Sequence, residues 1–92
     1  MNIPNDTLLS PALALVTHAG LQQQGNLCIW TIYAHPSDYP ADFVARLFTQ
    51  HGRTDMILTA DSLGGLRGQL PPGLTCLMRE PNDDPVIVES WV

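Results

Sequence analysis

Two short segments of this chain share one grammar, Pro-x-Asp-x-Pro. The first is Pro36-Ser37-Asp38-Tyr39-Pro40 and the second is Pro81-Asn82-Asp83-Asp84-Pro85. A proline fixes φ and has no N–H to donate, and the residue before it is pushed toward extended backbone. Neither segment can continue a helix or lie in the middle of a sheet. Each predicts a stiff acidic bend, and each is followed by an apolar run of strand character. The runs after them, DFVARLF and VIVESWV, share only apolar content. The bends are therefore two uses of one turn solution, not a duplicated unit.

The segments between the bends can be read from their own spacing. Met1 to Thr7 is polar and is expected to be loose. Ser10-Pro11 reads as a helix start, with Ser at the N-cap and Pro at the first helical position. Leu9, Leu13, Val16 and Leu21 follow at helical spacing, and Gly25-Asn26 is a stop signal, so a helix is predicted over Pro11 to Gln22. Leu27 to Ala34 is short and rich in β-branched and aromatic residues, which predicts a strand. Its Cys28, Trp30 and Ile32 share one face, with Ile29, Thr31 and Tyr33 on the other. Phe43 to Gln50 alternates with Phe43, Ala45 and Leu47 inward and Val44, Arg46 and Phe48 opposite, although Phe43, Leu47 and Phe48 fit a helical face as well. His51-Gly52-Arg53-Thr54 reads as a hairpin connection into a third strand at Asp55 to Thr59.

Asp61 or Ser62 can cap a short helix running to about Leu70, weakened by Gly64, Gly65 and Gly68 and ended by Pro71-Pro72-Gly73. Leu74 to Met78 and Val86 to Val92 are the last two strands. The expected fold is α+β. It has a small, mostly antiparallel sheet of four to five strands, with an N-terminal helix and one short helix packed on one face. A chain of 92 residues makes one domain. Within it, residues 1–26 read as a helical extension and 27–92 as the α+β core.

Charge limits the partners. Only four residues are basic, all arginine, against nine acids, for a net charge of −5. Direct binding to nucleic acid needs clustered Lys or Arg and is not expected. A basic protein surface is a better match. Only 14% of the residues are charged, so part of the apolar surface is available to a partner or to a second copy. Cys28 and Cys76 both sit in apolar runs and are too few for a disulfide framework, which predicts buried thiols in a reducing compartment. The first basic residue is Arg46, so the start does not read as a secretory signal. No apolar run approaches the ~20 residues that span a bilayer. A cytoplasmic location and no membrane partner are expected.

No catalytic or cofactor frame is visible. The adjacent Asp83 and Asp84, with Asp38 in the matching place of the other bend, invite a metal or acid–base reading, but there is no EF-hand spacing, and Asp in a turn commonly bonds its own backbone. His18, His35, His51, Cys28 and Cys76 have no C-x-x-C or H-x-x-x-H spacing for zinc. Gly64-Gly65-Leu66-Arg67-Gly68 lacks the lysine and spacing of a phosphate loop. Ser, His and Asp occur without a nucleophile frame. No cofactor and no metal are expected. Arg46 and Glu89 both fall mid-strand among apolar neighbours, where a charge needs a partner, and a cross-strand Arg46–Glu89 pair is predicted. Arg67 and Arg79 are expected to anchor the acidic bends.

From Trp30 to Val92 the chain resembles a family of short uncharacterised bacterial and phage-borne proteins. The resemblance rests on Trp30-Thr31-Ile32-Tyr33, on Pro36 to Pro40 followed by Phe43 to Arg46, and on Asp61 to Arg67. It continues through Pro71 to Leu77, Arg79, and Asp83 to Trp91. It implies a coherent domain of mobile-element origin and assigns no catalytic residue. The functional expectation is a small acidic protein that binds another protein and is not an enzyme. Its sharper form is a phage-encoded, anti-CRISPR-like inhibitor of a host defence complex. It would lay Asp38, Tyr39, Asp42, Glu80, Asp83 and Asp84 on a basic surface that normally holds nucleic acid. The alternatives are a structural or regulatory homodimer joined at the free edge of the C-terminal strand, and a metal-dependent enzyme using the bend carboxylates.

Overall fold

The computed structural model describes residues 5–92. The elements in chain order are β1 (Thr7–Leu8), α1 (Pro11–Gln23), β2 (Ile29–Ala34), β3 (Phe43–Thr49), β4 (Gly52–Ala60), α2 (Leu63–Arg67), β5 (Cys76–Met78) and β6 (Ile87–Trp91). The strands form one six-stranded sheet in the order β1-β4-β3-β2-β6-β5. Only β1 against β4 is parallel; the other pairs are antiparallel. The architecture is α+β, as expected, with one strand more than the sequence reading allowed.

Local chemistry explains the helix ends. The Ser10 hydroxyl oxygen accepts the Leu13 N–H at 3.1 Å, and Pro11 occupies the first turn, where a missing N–H costs nothing. At the other end Asn26 N–H bonds Leu21 O and Gly25 N–H bonds Gln22 O, both at 2.9 Å. This is a Schellman stop, and it needs the left-handed φ of +86° that Gly25 adopts. In α2 the Ser62 oxygen accepts the Gly65 N–H at 3.0 Å. A Cβ on Gly65 would lie 2.9 Å from that oxygen, so this glycine answers to a close cap, not to a phosphate.

Both helices cover one face of the sheet. Cross-strand pairs Trp30↔Leu47, Ile32↔Ala45 and Ala45↔Leu58 line that face. Leu9, Ala14 and Leu66 close over them in a single apolar cluster. Trp30, Ile32, Leu47 and Leu58 are fully buried, each contributing roughly 1.5–3 kcal/mol of burial. The leading segment thus shares the core of the strands through Leu9 and Ala14. Asp6 and Thr7, expected to be loose, are also fixed. Thr7 pairs with Met56 across β1 and β4, and its hydroxyl donates to Asp55 Oδ2 at 3.0 Å. Asn5 is exposed and in no regular element, and Met1 to Pro4 lie outside the described residues.

Several sequence expectations are corrected. Arg46 and Glu89 do not pair. β2 lies between β3 and β6, and Arg46 stands beside Thr31 while Glu89 stands beside Ile32. Neighbouring positions on a strand point to opposite faces, so the two charges are on opposite sides of the sheet. The hairpin turn is the two residues Gln50-His51, not His51 to Thr54, and the next strand already begins at Gly52, which pairs with Thr49. The C-terminal strand β6 is interior; the edge on its side of the sheet belongs to β5. Cys76, on that short edge, is exposed, whereas Cys28 is buried as expected.

Candidate functional site

Strand register brings the two acidic bends to one end of the sheet. Ala34 at the end of β2 pairs with Phe43 at the start of β3, and Phe43 pairs with Ala60 at the end of β4. Tyr33 pairs with Ile87 at the start of β6, and Met78, at the end of β5, pairs with Glu89. The connections leaving this end carry Asp38, Asp42, Asp61, Glu80, Asp83 and Asp84, six of the nine acids of the chain. The residues that lead into the first bend and out of the second are bonded: Ala34 N–H donates to Val86 O at 2.8 Å.

Each bend is closed by its own backbone and side chains. In the first, Tyr39 N–H bonds Pro36 O at 2.9 Å and Asp42 N–H bonds Tyr39 O at 3.1 Å. His35 N–H bonds Asp42 O at 2.9 Å, with His35 in the left-handed region at φ 49°. In the second, Asp83 Oδ2 accepts the Glu80 N–H at 2.9 Å and Asp84 Oδ1 accepts the Val86 N–H at 3.1 Å. Arg79 Nη2 donates to the Asp83 carbonyl at 2.8 Å, so Arg79 anchors this bend as expected. Arg67 does not. It forms a two-pronged ion pair with Glu89, Nε to Oε2 at 2.9 Å and Nη2 to Oε1 at 2.5 Å. Asp38, Glu80 and Asp84 are exposed, while Asp42 and Asp83 are half-buried.

Tyr39 belongs to a different arrangement. Its hydroxyl turns inward and donates to Asp6 Oδ2 at 3.1 Å. Arg46 Nη1 donates to Asp6 Oδ1 and to Thr54 O, both at 2.9 Å. The side chains of Arg46 and Asp6 keep only 7% and 8% of their exposure, so this is a buried ion pair on the sheet face that carries no helix. The Arg46 bond holds the Asp6 carboxyl below the usual carboxylate range against the opposing effect of burial, and the Tyr39 hydroxyl adds to the lowering. Burial, and then the bond to the Asp6 carboxylate, push the Tyr39 phenol up.

A cavity of about 140 Å³ opens beside this pair, lined by Tyr33, Asp38, Tyr39, Val44, Arg46 and Arg53 among others. A second, of about 290 Å³, shares Asp38, Arg46 and Arg53 and extends to Asp55. Burial pushes the Tyr33 phenol up, and the charges of Arg46 and Arg53 oppose it.

Other chemistry is sparse. Among the described residues no group of three or more His, Cys, Asp or Glu is placed to hold a metal ion. Burial raises both thiols, so neither has thiolate character. Among the described residues no helix is long and apolar enough to cross a membrane. The sequence reading missed Asp6, Tyr33 and Arg53. Arg53 carried one faint signal, a lone cation in a turn. Asp6 carried none, since its contact with Arg46 spans 40 residues of chain. No family model, curated protein or solved structure matches the chain.

Proposed function

We propose that this protein works by binding another protein, not by catalysis, and that it presents its acidic end to a basic surface of the partner. The observation that supports this reading is the gathering of Asp38, Asp42, Asp61, Glu80, Asp83 and Asp84 in the connections at one end of the sheet. Opposite charge steers encounter and fixes orientation, and surfaces that hold nucleic acid are rich in Arg and Lys. The resemblance to phage-borne proteins supports the sharper form: an anti-CRISPR-like inhibitor, acting in a host cytoplasm on a nucleic-acid-binding defence complex. The mode is local charge matching, since Arg79 sits among the acids. The test is target-DNA binding by a cognate CRISPR effector with and without the protein. At low salt the native chain weakens DNA binding, and the triple variant Asp38→Asn, Glu80→Gln, Asp84→Asn does not. Unchanged DNA binding at low salt sinks the inhibitor form.

A second reading, a homodimer, is favoured by β5. This edge strand leaves Leu77 and Met78 48% and 82% exposed. A flat apolar edge is a template for pairing with another copy. Sedimentation equilibrium at micromolar concentration separates the readings: a dimer lost on Leu77→Lys supports this one.

A further inference from the structure

The four arginines are not used alike. Arg67 is spent on Glu89 and Arg79 on the carbonyl of Asp83. Arg46 commits only Nη1, to Asp6 and Thr54, leaving Nε and Nη2 without a bond among the described residues. Arg46 also lines the cavity beside the pair. Arg53 is exposed and has no ion pair among the described residues, although the chain has more than twice as many acids as bases. Arg46 and Arg53 both line the 140 Å³ cavity, and so does Tyr33, whose hydroxyl also makes no bond among the described residues. A charged donor is about twice as strong as a neutral one, and the guanidinium fork matches a planar pair of oxygens.

We propose that this cavity is a binding site for a small aliphatic carboxylate, gripped by Arg53 and the free side of Arg46 and met by the Tyr33 hydroxyl. Size, charge and lining each narrow the class. At about 140 Å³ the cavity is well below the ~300–1,000 Å³ of pockets for drug-sized ligands and close to the ~150 Å³ that holds a benzene-sized molecule, so the ligand has only a few heavy atoms. Two guanidiniums against Asp6 and Asp38 leave the site near neutral, which suits a monoanion better than a phosphate dianion. Val44 and Pro36 form an apolar wall for the alkyl end. The site borders the acidic contact surface at Asp38, which lines the cavity, but Arg53 takes no part in that surface.

The experiment is a titration of the isotopically labelled protein with sodium acetate, followed by amide NMR shifts at constant ionic strength. Sodium chloride and sodium phosphate serve as parallel arms. Saturable shifts are expected at Tyr33, Arg46 and Arg53, with a Kd on the order of 1–10 mM. Arg53→Gln weakens binding about tenfold, a loss that a single charge-assisted contact accounts for, and Tyr33→Phe weakens it less. Arg79→Gln, away from the cavity, binds as the native chain does. Arg53 is exposed, so its variant keeps a native-like spectrum. Shifts that grow linearly without saturation, equal binding by Arg53→Gln, or tighter binding of phosphate than of acetate would each overturn the proposal.

Discussion

Trp30 is fully buried, and its indole N–H donates to Nδ1 of His18 at 3.0 Å. An acceptor at Nδ1 requires the neutral imidazole with its proton on Nε2. Burial also pushes the His18 pKa below its ordinary value. The folded form therefore stays neutral at a pH where the unfolded chain takes up a proton. The unfolded state binds more protons below about pH 6.5, so stability is full above that value and falls as pH drops toward the folded pKa. His18→Leu removes this dependence and leaves the indole N–H unpaired, at a cost of about 1–3 kcal/mol. Urea midpoints at pH 7 and 5.5 measure both effects: the native midpoint falls between them, and the variant's starts lower and stays flat. Glu89 obeys the same sign in a more acidic window. It is 4% exposed and accepts from Arg67 and from Trp91 Nε1. The Arg67 bond holds its carboxyl below the usual range despite burial, and Trp91 helps. Its stabilisation is complete above about pH 4.3 and disappears as pH falls through the depressed folded value. Glu89→Gln removes that acid-side slope and costs about 1–3 kcal/mol at pH 7, read by thermal melts from pH 7 to 3.

The Asp6–Arg46 pair fastens the segment leading into β1 to the middle of β3, two elements that share no strand ladder. Removing one member of a buried pair costs about 3–5 kcal/mol, because the other charge is left without a partner. The adjoining cavity admits water to Arg46, which puts Asp6→Ala at the lower end of that range. A double-mutant cycle separates the observed pairing from the one the strand patterns suggested. Asp6→Ala and Arg46→Met couple by more than about 0.5 kcal/mol, while Arg46→Met and Glu89→Gln add within about that amount. Coupling of the second pair would show that the two sheet faces are not independent. The reason the pairing was illegible is physical. Alternation within Phe43 to Thr49 says which residues share a face, but not which strand lies alongside. The face relating Arg46 to Glu89 depends on β2 being inserted between their strands. A two-residue parallel strand such as β1 has no alternation to read at all. The elements that were legible carry local chemistry: the Ser10-Pro11 start and Gly25 stop of α1, the Ser62 cap of α2, and strands bounded by proline. The acidic bends were legible as bends, and their meeting at one end follows only from the register of β2 with β6.

Over the whole molecule the charge is polarised, and two explanations compete for the acids of the loaded end. As turn formers they stabilise the fold through backbone bonds, as Asp83 does for Glu80 and Asp84 for Val86. As a contact surface they repel one another and cost stability in the free protein. Substituting Asp38→Asn, Glu80→Gln and Asp84→Asn together distinguishes the two. Asparagine at 84 retains a side-chain oxygen for the Val86 N–H, so the turn keeps its closing bond while the charge is lost. Exposed substitutions of this kind shift stability by about 0.5 kcal/mol or less each. If repulsion dominates, the shift is toward greater stability at low ionic strength. It also fades as salt rises to 1 M, where the screening length falls to ~3 Å. The expected result is a triple variant with a Tm equal to or above the native value at 20 mM salt and indistinguishable from it at 1 M. A loss of more than about 1 kcal/mol that persists in high salt would instead make these carboxylates part of the fold's own bonding. The acidic end would then owe its composition to turn formation, and a basic partner would not be needed to explain it.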